Sequence, residues 1–488
     1  MKKIPFLSLI LALILVFGCI SGYAVEKTDV SVTSGCRSVD AKLPLGGSDN
    51  MELTADAVVL YELNTDTLVY GYNMDTRIDP TGMVKILTVL VALDYCDLEE
   101  VVTVGDVHKV SELIGSVSAK LQKGEQILMK DLLYCVMVAS ANDAAYELAR
   151  YLGAQLPDNS DNPEEKKTSM DKFVELMNQK AEALGCKDSH FANAHGLSNA
   201  ENYTTARDLA RITEAALEHP LFTEMFCAEE YTVPATNKSE ARRLLTTNYM
   251  MSETYTGKYY DSRLTGGKTA AATLTDRSLI CTAEVGTSRY LCVLMGAEAE
   301  VSEDGFEVKR YGSFEETKVV LDYGFRNFEV RQVVDQCQSV AQYSVPGGES
   351  HVVLHPSCDL YTVLPKNVTA EDLVWNTVVD ADALQLPISA EMALGTLELR
   401  YNGLVLGTCD LLAMHDVVAE GSVIENAPYL EKEAPTRVNY KGLLIKIGII
   451  LLVLLVLAAV ALVTLRLINT ARIRQAHRRR MRNRRRSR

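Results

Sequence analysis

Pro80-Thr81-Gly82-Met83-Val84-Lys85-Ile86-Leu87-Thr88-Val89-Leu90 begins with a residue suited to the first turn of a helix. Proline has no N–H to leave unsatisfied there, and its fixed φ is already helical. Met83, Ile86, Leu87 and Leu90 then recur at spacings of three and four, which places them on one face and predicts a packed helix. Lys85 sits inside this apolar run, either as an ordinary helix lysine or as a buried lysine of a site.

Upstream, Val58–Leu63 and Leu68–Tyr72 are β-rich runs around Asn64-Thr65-Asp66-Thr67, the pattern of a hairpin. Downstream, three further helices are marked by Leu132/Leu133/Val136/Met137, by Phe173/Leu176/Met177/Leu184, and by Leu209/Ile212. Thr205 followed by Asp208 resembles a capping box at the start of the third. Leu279–Glu284 and Tyr290–Met295 read as paired strands about Gly286-Thr287-Ser288. Strands at both ends with helices between them predict a sheet whose terminal strands meet, with a helical middle. Past Phe325 the texture changes to short β-like runs, at Val340–Val345, His351–Leu354, Leu360–Leu364, Thr396–Tyr401 and Leu404–Leu411.

Four spaced motifs carry a resemblance. Asn73–Leu93 resembles the nucleophile helix of the D-alanyl-D-alanine carboxypeptidases, the low-molecular-mass penicillin-binding proteins. Asp131–Arg150, with Ser140-Ala141-Asn142-Asp143, resembles that family's second motif. Phe191–Ala210, with His195-Gly196-Leu197, is similar to a further signature, and Gly267-Lys268-Thr269 stands where a Lys-Thr-Gly strand belongs. The resemblance implies an α/β fold of the β-lactamase/transpeptidase-like class, an antiparallel sheet with a helical subdomain, over residues 51–326. It is followed by a small all-β domain over 327–435 and one transmembrane helix. A class A β-lactamase is the runner-up for fold, and the β-rich segment and anchor argue against it.

The family's chemistry uses a Ser-x-x-Lys at a helix start. There the lysine, desolvated and near other cations, loses its proton and activates the hydroxyl. Backbone N–H groups at the helix start meet the developing oxyanion. By resemblance, Lys85, Ser140, Asn142 and Lys268 are the catalytic positions, and Thr269, Ala270 and Arg310 are candidates for holding substrate. Arg310 is equally readable as a solvated arginine, and His195 as a loop-fixing residue without a catalytic role. Ser140 and Asn142 are alternatively helix caps.

Two departures stand out. Gly82 occupies the nucleophile position, and Pro80 and Lys85 keep their spacing, so no one-residue slip supplies a serine. Ala270 replaces the glycine of Lys-Thr-Gly and adds a methyl group beside the substrate groove. Thr81 is a substitute nucleophile on paper, but one residue along a helix rotates a side chain by about 100°. The expected function is an impaired binder of peptidoglycan stem peptides. An active carboxypeptidase using Thr81 or water, and an envelope scaffold with an unused pocket, are the alternatives. No metal or cofactor is expected.

The chain's ends set its place. Lys2 and Lys3, the apolar run Leu7–Phe17 and the small residues before Ala24 predict a signal peptide over 1–24. Cys19 after Gly18 offers a lipoprotein alternative, and residues 25–50 read as a linker. Ile447–Leu465 is charge-free and apolar, about 28 Å long as a helix, which predicts a membrane span over 443–466. Eleven arginines follow between Arg466 and Arg488 with no acid among them, placing the 467–488 tail in the cytoplasm. Taking those eleven charges and the two N-terminal lysines from the net −15 leaves −28 for the rest. So acidic an ectodomain repels nucleic acid. Eleven cysteines are present, ten beyond the signal, and most read as small core residues whose pairing the sequence does not give.

Overall fold

The computed structural model describes residues 44–107, 117–157 and 167–421. The expected signal peptide, Cys19, the first part of the linker, the transmembrane helix at 443–466 and the basic tail lie outside the described residues. Among the described residues, no helix is long and apolar enough to cross a membrane.

The hairpin around Asn64–Thr67 forms from β1 (Ala57–Glu62) and β2 (Thr67–Tyr72). One 3₁₀ turn over Thr81–Met83 leads into α1 (Val84–Tyr95). β3 (Val101–Thr103) pairs with β4 (Gln126–Leu128), which runs into α2 (Met129–Met137). α3 (Asn142–Gln155), α4 (Ser169–Ala183), α5 (Ala206–Leu217) and α6 (Pro220–Phe226) complete the helical middle. β5 (Glu230–Val233) and β6 (Arg242–Leu245) make a second small ladder. Then come β7 (Leu264–Ala271), β8 (Asp276–Val285), β9 (Ser288–Val301), β10 (Val308–Tyr311) and α7 (Gly312–Asn327).

The main sheet has the order β2-β1-β9-β8-β7, with β10 against β9, and every pairing is antiparallel. The terminal strands do meet, with Val58 opposite Leu294 and Leu60 opposite Cys292. Because side chains alternate across a strand, each strand feeds two cores. Val59, Tyr61, Ile280, Leu291 and Val293 join the core that contains α1 and α5. Val58, Leu60, Leu279, Cys281, Cys292 and Leu294 join a second core with Phe314, Val320 and Leu321 of α7. Both faces are thus covered, which is why these strands are apolar at almost every position.

α1 runs through the middle of the first core. The sequence pattern predicts one apolar face, but Val84 to Ala92 are all buried, Lys85 and Thr88 among them. Surrounded on all sides, its two polar residues must find internal partners. At α5, Thr205 Oγ1 accepts from Asp208 N at 3.0 Å, but the return half of the expected box is absent. The Asp208 carboxylate instead accepts from Ser189 Oγ and Asp188 N, tying α5 to the segment before His195.

Beyond α7 lie β11 (Phe328–Val334), β12 (Ala341–Ser344), β13 (His351–Pro356), β14 (Leu360–Pro365), β15 (Leu373–Val379), β16 (Ala393–Tyr401) and β17 (Leu404–Ala413). β11 pairs with β14, and the others form a sheet of order β12-β13-β17-β16-β15. Val352, Leu354, Leu397, Leu399 and Leu411 give it a core of its own.

Candidate active site

The start of α1, the α2–α3 junction, the 195–198 loop and β7 converge on one cavity of about 560 Å³. Its walls include Gly82, Lys85, Ser140, Asn142, His195 and Ala270. Lys268 sits behind them, nearly fully buried.

Lys85 Nζ donates to Asn142 Oδ1 at 2.7 Å and to the carbonyl oxygen of His195. Lys268 Nζ donates to Ser140 Oγ at 2.6 Å and to Thr269 O at 2.9 Å. Ser140 and Asn142 are therefore not caps. Ala141 is the N-cap of α3 and offers no side-chain bond, while its neighbours face the two lysines. Ser140 holds φ of 58°, a left-handed conformation uncommon outside glycine, which turns the chain sharply there. The junction is fixed from below by Asp143, whose carboxylate accepts from Ser118 Oγ, Ala119 N and Leu121 N.

Burial sets the electrostatics. Lys85 is pushed well below the ordinary lysine range by desolvation, then by the Lys268 charge, with Asp143 opposing. Burial brings Lys268 down to about 7. His195 falls to about 4 through burial and then the Lys85 charge, so its imidazole is neutral at pH 7. Neutral amines can act as bases, the state that a serine nucleophile needs beside it.

These shifts have a stability signature. An unfolded lysine keeps its proton to about 10.4. Between about 7 and that value the unfolded chain binds a proton that folded Lys268 has released, so unfolding free energy rises with pH across this window. The penalty is fully present below it. Lys268→Met is expected to melt higher than the parent at about pH 6 and to flatten the rise towards about pH 9, by on the order of a few kcal/mol. Thermal unfolding at the two pH values checks this, and an unchanged slope would count against a neutral Lys268.

Gly82 lies in the 3₁₀ turn, outside the left-handed region. A Cβ built on it would stand 3.7 Å from Lys85 Nζ and 3.4 Å from the Ala270 Cβ. Position 82 thus lies beside the Lys85 amine in space as well as in sequence, and it carries no hydroxyl. Thr81 has φ of 45°, its N is held by Asp79 Oδ1 at 2.9 Å, and its Oγ1 is buried without a hydrogen-bond partner among the described residues. Neither lysine amine touches that hydroxyl.

Of the substrate-side candidates, Thr269 and Ala270 line the cavity. Arg310 does not. Its guanidinium donates to Glu300 Oε1 at 2.7 Å and to Glu315 Oε2 at 2.9 Å, on β10 outside the walls. The cavity's arginine is Arg277, opposite Ala271 in the β7–β8 register. Sequence reasoning passed over it, and over Thr247, whose hydroxyl shares a hydrogen bond with that of Thr269. The hairpin that returns from β7 was the available signal for Arg277. Nothing local marks Thr247.

Residues 46–299, just over half of the chain, match the family model described as D-alanyl-D-alanine carboxypeptidase. The chain belongs to that family. Among carboxypeptidase relatives, DacF of Bacillus subtilis is 26% identical over 373 residues, 76% of this chain and 87% of its own. DacD of Escherichia coli is 25% identical over 427 residues, 85% and 96% of the two chains. Penicillin binding protein 5 from Haemophilus influenzae has a similar structure, with a TM-score of 0.57 and 23% identity over 76% of this chain and 100% of that one. A peptidoglycan synthesis regulatory factor from Streptococcus pneumoniae gives 0.58 at 19% identity, over 75% and 100%. These likenesses show the carboxypeptidase family's transpeptidase-like fold, shared sheet and helices included.

Proposed function

We propose that this carboxypeptidase-family protein binds peptidoglycan stem peptides ending in D-Ala-D-Ala and does not cleave them through an acyl-enzyme. One observation carries this: Gly82 presents no side chain where Lys85 Nζ could activate a hydroxyl. The groups around the vacancy are retained. Lys268, Thr269 and Asn142 can hold a peptide with a terminal carboxylate, and the helix start still offers N–H groups. Losing the nucleophile of a covalent mechanism costs on the order of a million-fold in a comparable serine hydrolase. The lack of any contact between the Thr81 hydroxyl and a base speaks against Thr81 as a replacement.

In this reading the protein is held at the bacterial cell membrane by the apolar run at 443–466, its bulk outside and the arginine tail inside. Stem peptides are then within reach of the cavity.

The ectodomain should take no covalent label from a fluorescent penicillin and release no D-alanine from a peptide ending in D-Ala-D-Ala. It should still bind that peptide reversibly, by calorimetry. A penicillin adduct mapped to any residue would sink the reading. Silence in both assays would leave a scaffold with an unused pocket.

A further inference from the structure

The nine described cysteines are all free thiols, yet two of them are opposed in a strand register, and two more fall where another register, carried past its strand's end, would oppose them. Cys281 on β8 lies directly across from Cys292 on β9, between the pairs Ile280–Val293 and Thr282–Leu291. In the second sheet, β13 and β17 pair His355 with Leu412 and Pro356 with Leu411. Ser357 N then donates to Asp410 O at 2.8 Å, which carries the same register one step past the end of β13; the next step would bring Cys358 to Cys409, and Cys409 feels the Cys358 thiol. Among the described residues, the strand registers oppose no other two cysteines.

We propose that Cys281–Cys292 and Cys358–Cys409 are two cross-strand disulfide sites. The geometry suits them. Residues opposed in an antiparallel pair have Cα atoms about 4.5–5.5 Å apart. Disulfides bridge Cα separations of about 4.4–6.8 Å. Cys281 and Cys292 are fully buried in the core beneath α7, and the Cys292 thiol is the leading influence on Cys281, ahead of burial. Cys409 is buried and feels Cys358.

The oxidant is a disulfide, either of a small thiol or of a thiol–disulfide oxidoreductase. One protein thiolate attacks it, releasing one thiol and leaving a mixed disulfide. The facing thiolate then attacks the protein sulfur and releases the second thiol. Two protein S–H bonds are exchanged for one S–S bond, and the oxidant gains two electrons and two protons. In the folded protein Cys281 is held well above the usual thiol range, and Cys409 at about 11, so thiolate is scarce. Exchange belongs to folding, before the sheets close. The first bridge would fasten β8 to β9 beside the position where Ile280 pairs with Lys268 of the cavity strand.

That the bridges form in the cell rests on the proposed envelope location. The full chain, reduced and unfolded, is refolded in an oxidising glutathione buffer. It is then denatured with N-ethylmaleimide and digested without reductant. Peptides joined as 281–292 and 358–409 are expected by mass spectrometry, with the other cysteines alkylated. Cys292→Ser should free Cys281 for alkylation and leave the second pair joined. Four alkylated cysteines, or other partners, would overturn the proposal. Bridges after refolding but free thiols in protein taken from cells would instead overturn the envelope location and leave the pairing standing.

Discussion

On the proposed function, Gly82→Ser is expected to turn an ectodomain that takes no covalent label into one that penicillin acylates. The space is there: a Cβ at position 82 meets no backbone clash, and Lys85 Nζ lies 3.7 Å from it. A hydroxyl one bond further can rotate into hydrogen-bond reach of that amine. Lys85 is already deprived of its proton affinity by burial, and its amine is aimed by Asn142 and His195 O. The gain should be several orders of magnitude, since absence of a nucleophile is worth on the order of a million-fold. Ala270 limits the recovery, because its methyl group stands 3.4 Å from the new Cβ. An extra methylene in a packed site costs about 1–3 kcal/mol, so Gly82→Ser with Ala270→Gly should acylate about ten-fold faster or more than Gly82→Ser alone. Labelling kinetics with a fluorescent penicillin measure both. If the double variant stays unlabelled while melting like the parent, the surrounding site has decayed, and the vacancy at 82 is not what silences it.

The site was legible in sequence wherever its parts are local. Lys85 sits one turn from Gly82, Ser140 and Asn142 flank one helix start, and Lys268 precedes Thr269 on one strand. Each spacing fixes a direction, and the fold only has to bring four such pieces together. The same holds for the sheet: β1–β2 and β8–β9 are hairpins, readable from their turns. Arg277 and Arg310 show the limit. Each is an arginine close to a strand end; the register of β7 against β8 puts Arg277 at the cavity, and that of β10 against β9 sets Arg310 opposite Glu300, with Glu315 nearby. The cysteine pairs were hidden for the same reason, since opposition across a ladder depends on a register that a slip of one residue would destroy. α1 was read as one-faced because periodicity records only where apolar residues must be. Its second buried face came from tertiary packing of Val84, Val89 and Val91.

Gly196→Ala should lower stability by roughly 3 kcal/mol, far more than Gly286→Ala. Both glycines sit in the left-handed region, at φ of +78° and +61°. An alanine pays about 1 kcal/mol for that backbone conformation at either place. At Gly286, in the β8–β9 turn, a Cβ meets nothing within 4 Å. At Gly196 it would lie 2.0 Å from Thr81 O and 2.9 Å from Gly82 N, both backbone atoms that no rotamer change can move aside. Either the loop or the start of α1 must shift, at the cost of overpacking, about 1–3 kcal/mol more. The loop cannot drift freely, because Gly196 N is held by Asn193 Oδ1 at 2.7 Å and Ala194 O by Thr88 Oγ1 at 2.7 Å. The neighbouring His195 carbonyl is an acceptor for Lys85 Nζ, so the close approach that excludes a Cβ is the same one that aims the amine. The Gly82→Ser gain should therefore vanish when Gly196→Ala is added and survive when Gly286→Ala is added. Equal melting temperatures for the two alanine variants would show that the loop does not press on the helix start.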